Sequence, residues 1–166
     1  MSTHPKLDNL RSSLWRLFLT AQVKLRDRIE AKLDRAGLPS LEWYDVLYTL
    51  KEAPEQRLRL SELAEKVLLT RSNLTRLVDR LEKAGLLQRQ SCPSDRRGTF
   101  AVLTEAGLAM QQQIWPIYAE GIMEYFASQI NDEEVEILRQ VLQRMLVNLD
   151  EAEGGQMGAD SISAIV

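Results

Sequence analysis

Five side chains within six residues, Arg71, Ser72, Asn73, Thr75 and Arg76, carry hydrogen-bonding groups of the kinds that can pair with base edges or phosphates. Arginine pairs bidentately with guanine, asparagine with adenine, and serine or threonine serves a base or a phosphate. They open a stretch whose apolar residues Leu74, Leu77, Val78 and Leu81 are spaced i, i+3, i+4, i+7. That spacing predicts an amphipathic helix with these four buried and the polar set exposed. A solvated helix face would look the same in isolation, so the neighbouring elements have to decide between the two.

A strand-like piece precedes a short first helix whose N-cap is expected at Ser61, with Glu62 in the first turn and Leu63, Ala64 and Val67 on its buried face. Leu68-Leu69 is expected to plug the following turn into the core. Thr70 can cap the second helix and Gly85 can end it in a left-handed conformation. Two strand candidates follow, Leu86 to Gln90 and Thr99 to Leu103, around the loop Ser91-Cys92-Pro93-Ser94-Asp95-Arg96-Arg97-Gly98. Proline, serine, aspartate and glycine favour a turn there. Adjacent arginines at a loop tip repel unless something negative is near; Asp95 can neutralise one and a DNA phosphate or minor groove the other. Residues two apart on a hairpin share a side, so Asp95 can pair with Arg97 while Arg96 points away. Asp79 is a second candidate partner for Arg97. The order of elements describes a winged helix-turn-helix, whose second helix enters the major groove.

Charge agrees. Residues 57–99 hold 10 Lys/Arg against 5 Asp/Glu, whereas the chain has 21 and 24, leaving 11 and 19 elsewhere. A local basic patch on the motif matters more for DNA than the net charge of −3.

The segments Leu60-Ser61-Glu62-Leu63-Ala64, Ser72 to Leu86, Pro93-Ser94-Asp95-Arg96-Arg97 and Leu103-Thr104-Glu105-Ala106-Gly107 resemble the MarR family of bacterial transcription regulators, and the likeness runs from about Leu7 to Leu149. The resemblance implies a homodimer of winged-helix lobes joined by terminal helices. It also implies repression until a small aromatic, phenolic or lipophilic effector or an oxidant intervenes. In that family the Asp-x-Arg pattern braces the wing against the recognition helix, with arginine also reaching the minor groove. The effector crevice between terminal helices and lobe would here be lined by Trp15, Trp43 and Tyr44, although an aromatic at helical spacing is more often core.

The flanks carry their own signals. Leu7, Leu10, Leu14, Leu17/Phe18, Ala21, Leu25, Ile29 and Leu33 form a near-heptad seam over residues 6–36, stopped by Gly37 and Pro39. A second helix is expected from Leu41 to Lys51 with Tyr44, Leu47 and Leu50 inward, ended by Pro54. Thr104 caps a helix to about Ser128 in which Pro116 predicts a kink. Asn131 and Glu134 form a capping box for a last helix to Leu149, with Val135, Leu138, Val141, Leu142, Met145 and Leu149 inward. The expected organisation is mainly α: residues 1–36 a dimerisation helix, 37–104 the winged helix-turn-helix lobe with its small β-hairpin wing, 105–150 C-terminal dimerisation helices and 151–166 a loosely held tail. Apolar seams at both ends suggest burial against a second copy, and C2 symmetry would suit a palindromic operator on double-stranded DNA.

Other chemistries find little. No glycine-rich phosphate loop and no metal-ligand spacing occurs, His4 is the lone histidine, and Glu133-Glu134 fits a helix N-terminus, so neither catalysis nor a cofactor is expected. No apolar run reaches membrane-spanning length, the polar N-terminus does not read as a signal peptide, and a single cysteine suits the cytoplasm. Two alternatives stay open: a winged-helix DNA- or protein-binding module without ligand response, and an oxidation-sensing regulator acting through Cys92. Nearby Arg96 and Arg97 favour a thiolate at Cys92. The family's oxidant sensors, however, place the reactive cysteine in the first helix, where this chain has none.

Overall fold

A computed structural model describes residues 6–68, 73–92 and 95–152, with backbone alone at 92, 95–97 and 151–152. The elements are α1 (Asn9–Arg35), α2 (Leu41–Glu52), β1 (Arg57–Arg59), α3 (Leu60–Lys66), α4 (Leu74–Lys83), β2 (Leu87–Cys92), β3 (Asp95–Leu103), α5 (Glu105–Tyr125) and α6 (Asp132–Ala152). Single 3₁₀ turns lie at Pro54–Gln56 and Ala127–Gln129.

Caps set the boundaries. Arg11 N–H donates to Asp8 Oδ1 at 2.7 Å and opens α1. Gly37 (φ 68°) closes it, with Leu38 N–H reaching Leu33 O at 3.0 Å. Gly85 (φ 75°) ends α4 in the same way, through Leu86 N–H to Leu81 O at 3.0 Å. Both positions need the left-handed conformation that glycine adopts without a Cβ penalty. The capping box at α6 is present, Asn131 and Glu134 exchanging two bonds of 3.0 Å. Ser61, in contrast, does not cap α3. The chain leaves β1 extended as far as Arg59, so the helix starts at Leu60 and Ser61 already lies in its first turn. Glu62 instead accepts from Arg59 N–H at 3.0 Å. Thr70 and Leu69 lie outside the described residues.

The sheet is antiparallel, in the order β1-β3-β2, with Leu58 opposite Ala101 and Leu87 opposite Leu103. The wing strands are longer than the sequence suggests. Asp95-Arg96-Arg97-Gly98 belongs to β3 rather than to a loop, because pairing continues to Ser91↔Thr99 and Cys92↔Asp95. Residues 96–98 fall where the register shifts between Ser91 and Cys92. Such irregularities bend a strand and increase its twist without ending it.

Two clusters form the interior. The lobe core gathers Val46, Leu47 and Leu50 of α2, Leu63 of α3, the α4 stripe Leu74, Leu77, Val78 and Leu81, and sheet residues Leu58, Leu87, Ala101 and Leu103. The second joins Ile29 and Leu33 of α1 to Leu41, Tyr44 and Ile114. Lys32 of α1 ties the same helices together through Glu120 and Glu124 of α5, at 3.2 and 2.6 Å. α5 runs through Pro116 as one helix, the proline leaving Gln112 O without its usual helical donor.

Two expectations about burial fail within the single chain, those for Leu68 and for α6, while the α1 seam, expected to meet a second copy, stays largely open. Leu68 is 68% exposed and plugs nothing. Of the α1 seam only Ile29 and Leu33 are buried, while Leu10 is 76% exposed and Leu7, Leu14, Leu17 and Phe18 lie open. On α6 Val135, Leu138, Leu142, Met145 and Leu149 are 40–62% exposed and Val141 is half-buried, so that seam does not point inward. The reason is geometric: α1 is 27 residues and about 40 Å long, and α2 and α5 cover only its C-terminal part. An apolar groove of Ala21, Leu25, Tyr125, Phe126 and Ile130 adds to this open surface.

α5 also approaches the lobe closely. A Cβ on Gly107 would lie 2.0 Å from Leu86 O and 2.8 Å from Leu103 Cδ1. Gly107→Ala should therefore destabilise by about 1–3 kcal/mol or more, since a backbone carbonyl must move. Chemical denaturation checks this, and a change below about 0.5 kcal/mol would show that the junction gives way freely.

Candidate nucleic-acid interface

α4 presents what its buried stripe leaves over. With Leu74, Leu77, Val78 and Leu81 inside, the described polar residues Asn73, Thr75, Arg76, Asp79 and Arg80 are exposed. Asn73 is the residue before the helix, and Thr75 and Arg76 occupy its first turn. A groove runs between α3 and α4, lined by Leu60, Ser61 and Ala64 on one side and Asn73, Thr75 and Arg76 on the other. Ser61, misplaced as a cap, thus belongs to this surface. Arg71 and Ser72 lie outside the described residues.

The wing is fastened to α4 through Arg89, a residue sequence reasoning passed over. Its N–H donates to Glu82 Oε1 at 2.9 Å, and its guanidinium pairs with Glu82 and with Asp79, the latter at 2.5 Å. Asp79 therefore meets β2 at Arg89. The side-chain roles expected of Asp95, Arg96 and Arg97, including Arg97 with Asp79, lie outside the described residues. A signal for Arg89 existed. Period-two alternation puts it on the same face as Leu87, opposite buried Ala101, and a cation there needs a partner. Asp79 and Glu82, i and i+3 on one helix, supply two carboxylates side by side.

The Arg89 N–H, and after it the guanidinium, hold the Glu82 carboxyl below its ordinary pKa. A depressed carboxylate stabilises above its unfolded pKa and loses that contribution as pH falls through the folded value. The Glu82 part of the brace is thus intact at neutral pH and is lost as pH falls through its lowered carboxyl pKa. Arg89→Ala should leave the lobe folded but speed amide exchange across β2 and β3. Unchanged exchange would mean that strand pairing alone holds the wing.

The three aromatics expected around an effector do not converge in one chain. Tyr44 is buried in the second cluster. It stacks on Tyr48 at 5.7 Å and Trp115 at 6.2 Å, meets Tyr118 edge-on at 5.0 Å, and accepts from Gln111 Nε2 at 3.3 Å. Burial, against the Gln111 bond, pushes its phenol up to about 12. Trp43 turns to the other side of α2, half-buried against the lobe core. Trp15 is 58% exposed and stacks on Phe18 at 6.1 Å, 14 residues or about 21 Å along α1 from Ile29. Trp115 and Tyr118 join Tyr44 from α5, a meeting of two helices that spacing within either one does not reveal.

Among the described residues no group of His, Cys, Asp and Glu could hold a metal ion, and no helix is long and apolar enough to cross a membrane. Element order, paired wing and exposed polar first turn define a winged helix-turn-helix protein.

The MarR family model matches residues 40–99. The chain is 33% identical over 126 residues to the HTH-type transcriptional regulator MhqR of Bacillus subtilis, covering 75% of this chain and 83% of MhqR. It is 30% identical over 138 residues to the regulator PrsX of Escherichia coli, covering 83% and 82%. Among solved structures, Sco3205, a MarR family regulator from Streptomyces coelicolor in complex with DNA, superposes with a TM-score of 0.78 at 31% identity, over 87% of this chain and 94% of Sco3205. AbsC, also from Streptomyces coelicolor, gives 0.78 at 30% identity, over 89% and 99%. The chain belongs to the MarR family: it is a transcriptional regulator and not an enzyme.

Proposed function

We propose that this regulator binds a palindromic operator on double-stranded DNA as a homodimer in the cytoplasm, acting as a repressor released by a small aromatic or phenolic effector. The observation that carries the DNA part is the exposed first turn of α4, Asn73, Thr75 and Arg76, beside a wing braced to the same helix. The solved DNA complex of the 31%-identical Sco3205 supports it. Arg71 and Ser72, by sequence, extend the same surface towards bases and phosphates. The homodimer is supported by the open apolar surfaces of α1 and α6, since grouped exposed apolar residues of this kind mark interaction sites. The effector has weaker support: Trp115, 47% exposed, borders the Tyr44 cluster, and Trp15 could approach it only from another chain.

Selection from randomised duplexes, followed by footprinting, tests the reading. An inverted repeat with half-site centres about 10 bp or a multiple apart is expected, because two-fold symmetric recognition helices enter successive major grooves on one face. Enrichment of no inverted repeat would overturn it. A thermal-shift screen of phenols and aromatic acids, with and without the selected DNA, tests the effector.

The wing arginines divide the work in this reading, Arg96 touching DNA and Arg97, with Asp95, chiefly bracing. Arg96→Ala should weaken binding about uniformly across sequences and lower the salt slope by about 1. Arg97→Ala should also speed amide exchange from Leu86 to Leu103 in the free protein. If only Arg97→Ala alters the salt slope, the two roles are reversed.

A further inference from the structure

Asp45 is an acid in the wrong place for a core helix. It lies on α2 between Tyr44 and Val46 and is only 7% exposed. A carboxylate that deep must be compensated by hydrogen bonds or charge. Part of the compensation comes from 23 residues along the chain: Leu68 N–H donates to Asp45 Oδ2 at 2.8 Å.

Leu68 is the first residue after Val67, which ends α3 and is fully buried. From there the chain runs to Leu74, where the buried stripe of α4 begins. The base-reading candidates Asn73, Thr75 and Arg76 follow directly on this connector. A connector of this kind is commonly set by an apolar plug, but Leu68 turns its side chain outward. What holds its entry is a backbone N–H on a buried carboxylate. Asp45 is followed on α2 by Val46 and Leu47, both fully buried.

We infer that Asp45 is a positioning residue for DNA recognition: its carboxylate pins Leu68, where the chain leaves α3 towards α4, to α2, and so bears on where the first turn of α4 meets the groove. The inference rests on the DNA-binding reading. Fixing Leu68 beforehand spares binding the cost of fixing it. When only a fraction of molecules is competent, apparent affinity falls by that fraction. Non-specific attraction to phosphates needs no such alignment and should be indifferent to it.

The test uses the full chain as wild type, D45A and D45N. The readouts are affinity for the selected operator, affinity for a scrambled duplex, thermal melting and amide exchange at Leu68. Asn keeps an oxygen acceptor of the same reach, so D45N should stay within about threefold of wild type on the operator, while D45A should bind it about tenfold or more weakly as the competent fraction drops. Scrambled-duplex affinity should be equal in all three. Leu68 N–H should exchange slowly in wild type and D45N and fast in D45A. An unweakened D45A, a D45N as weak as D45A, or a D45A equally weakened on both duplexes overturns the role. Should D45A fail to fold, wild-type exchange decides: a Leu68 amide as fast as free loop amides overturns the anchor. A wild-type chain that prefers no duplex overturns the DNA reading and the role with it, whereas a preference that D45A retains overturns the role alone.

Discussion

Removing residues 131–166 is expected to leave monomers or insoluble protein and to abolish operator-specific binding. The cut takes away α6, whose Val135, Leu138, Leu142, Met145, Leu146 and Leu149 are all 40% or more exposed in the isolated chain. Fully burying each such side chain contributes about 1.5–3 kcal/mol. These residues therefore offer several kcal/mol to a partner surface, before the open face of α1 is counted. Binding to a two-fold site depends on that association, since one recognition helix on one half-site forfeits the contribution of the other. Sedimentation of the truncated chain, with operator titration, reads both outcomes. A soluble, dimeric and operator-binding product would place the subunit interface elsewhere.

Arg76→Ala should be the most damaging single substitution on the DNA face. Arg76 is exposed in the first turn of α4, beside the α3–α4 groove. A bidentate arginine–base contact contributes about 1–3 kcal/mol of discrimination. A homodimer carries the substitution twice, at half-sites far enough apart to be nearly additive, so about 2–6 kcal/mol is expected on the intact operator. Preference at the contacted position should relax as affinity falls. Loss of affinity without loss of preference would make Arg76 a phosphate contact. No loss of either would remove it from the interface.

Much of this was legible in the chain itself. The α4 stripe could be read because four leucine and valine side chains at i, i+3, i+4, i+7 have one way to leave water together. Gly37, Gly85 and the Asn131–Glu134 box were readable because caps act within a few residues. The errors share a cause. Serine is a common cap, yet β1 delivers the chain into α3 two residues before a Ser61 cap would, with Arg59 in the cap position. Asp95 to Gly98 looked like a loop by composition, but cross-strand pairing carries β3 through it. Leu68 looks like core by type, but its side chain is exposed and it is its backbone N–H that meets α2, at Asp45.

The sequence by itself thus determined the order of elements, the buried face of α4, and which donors that face leaves free. Each follows from local periodicity or from a cap within one turn. Tertiary structure alone decided that Asp45 meets a backbone N–H 23 residues away and that Trp43 and Tyr44 part to opposite sides of α2. Those outcomes depend on where separate helices and strands cross in space. Crossing is set by the shape of the packed core as a whole, and no window of neighbouring residues encodes it.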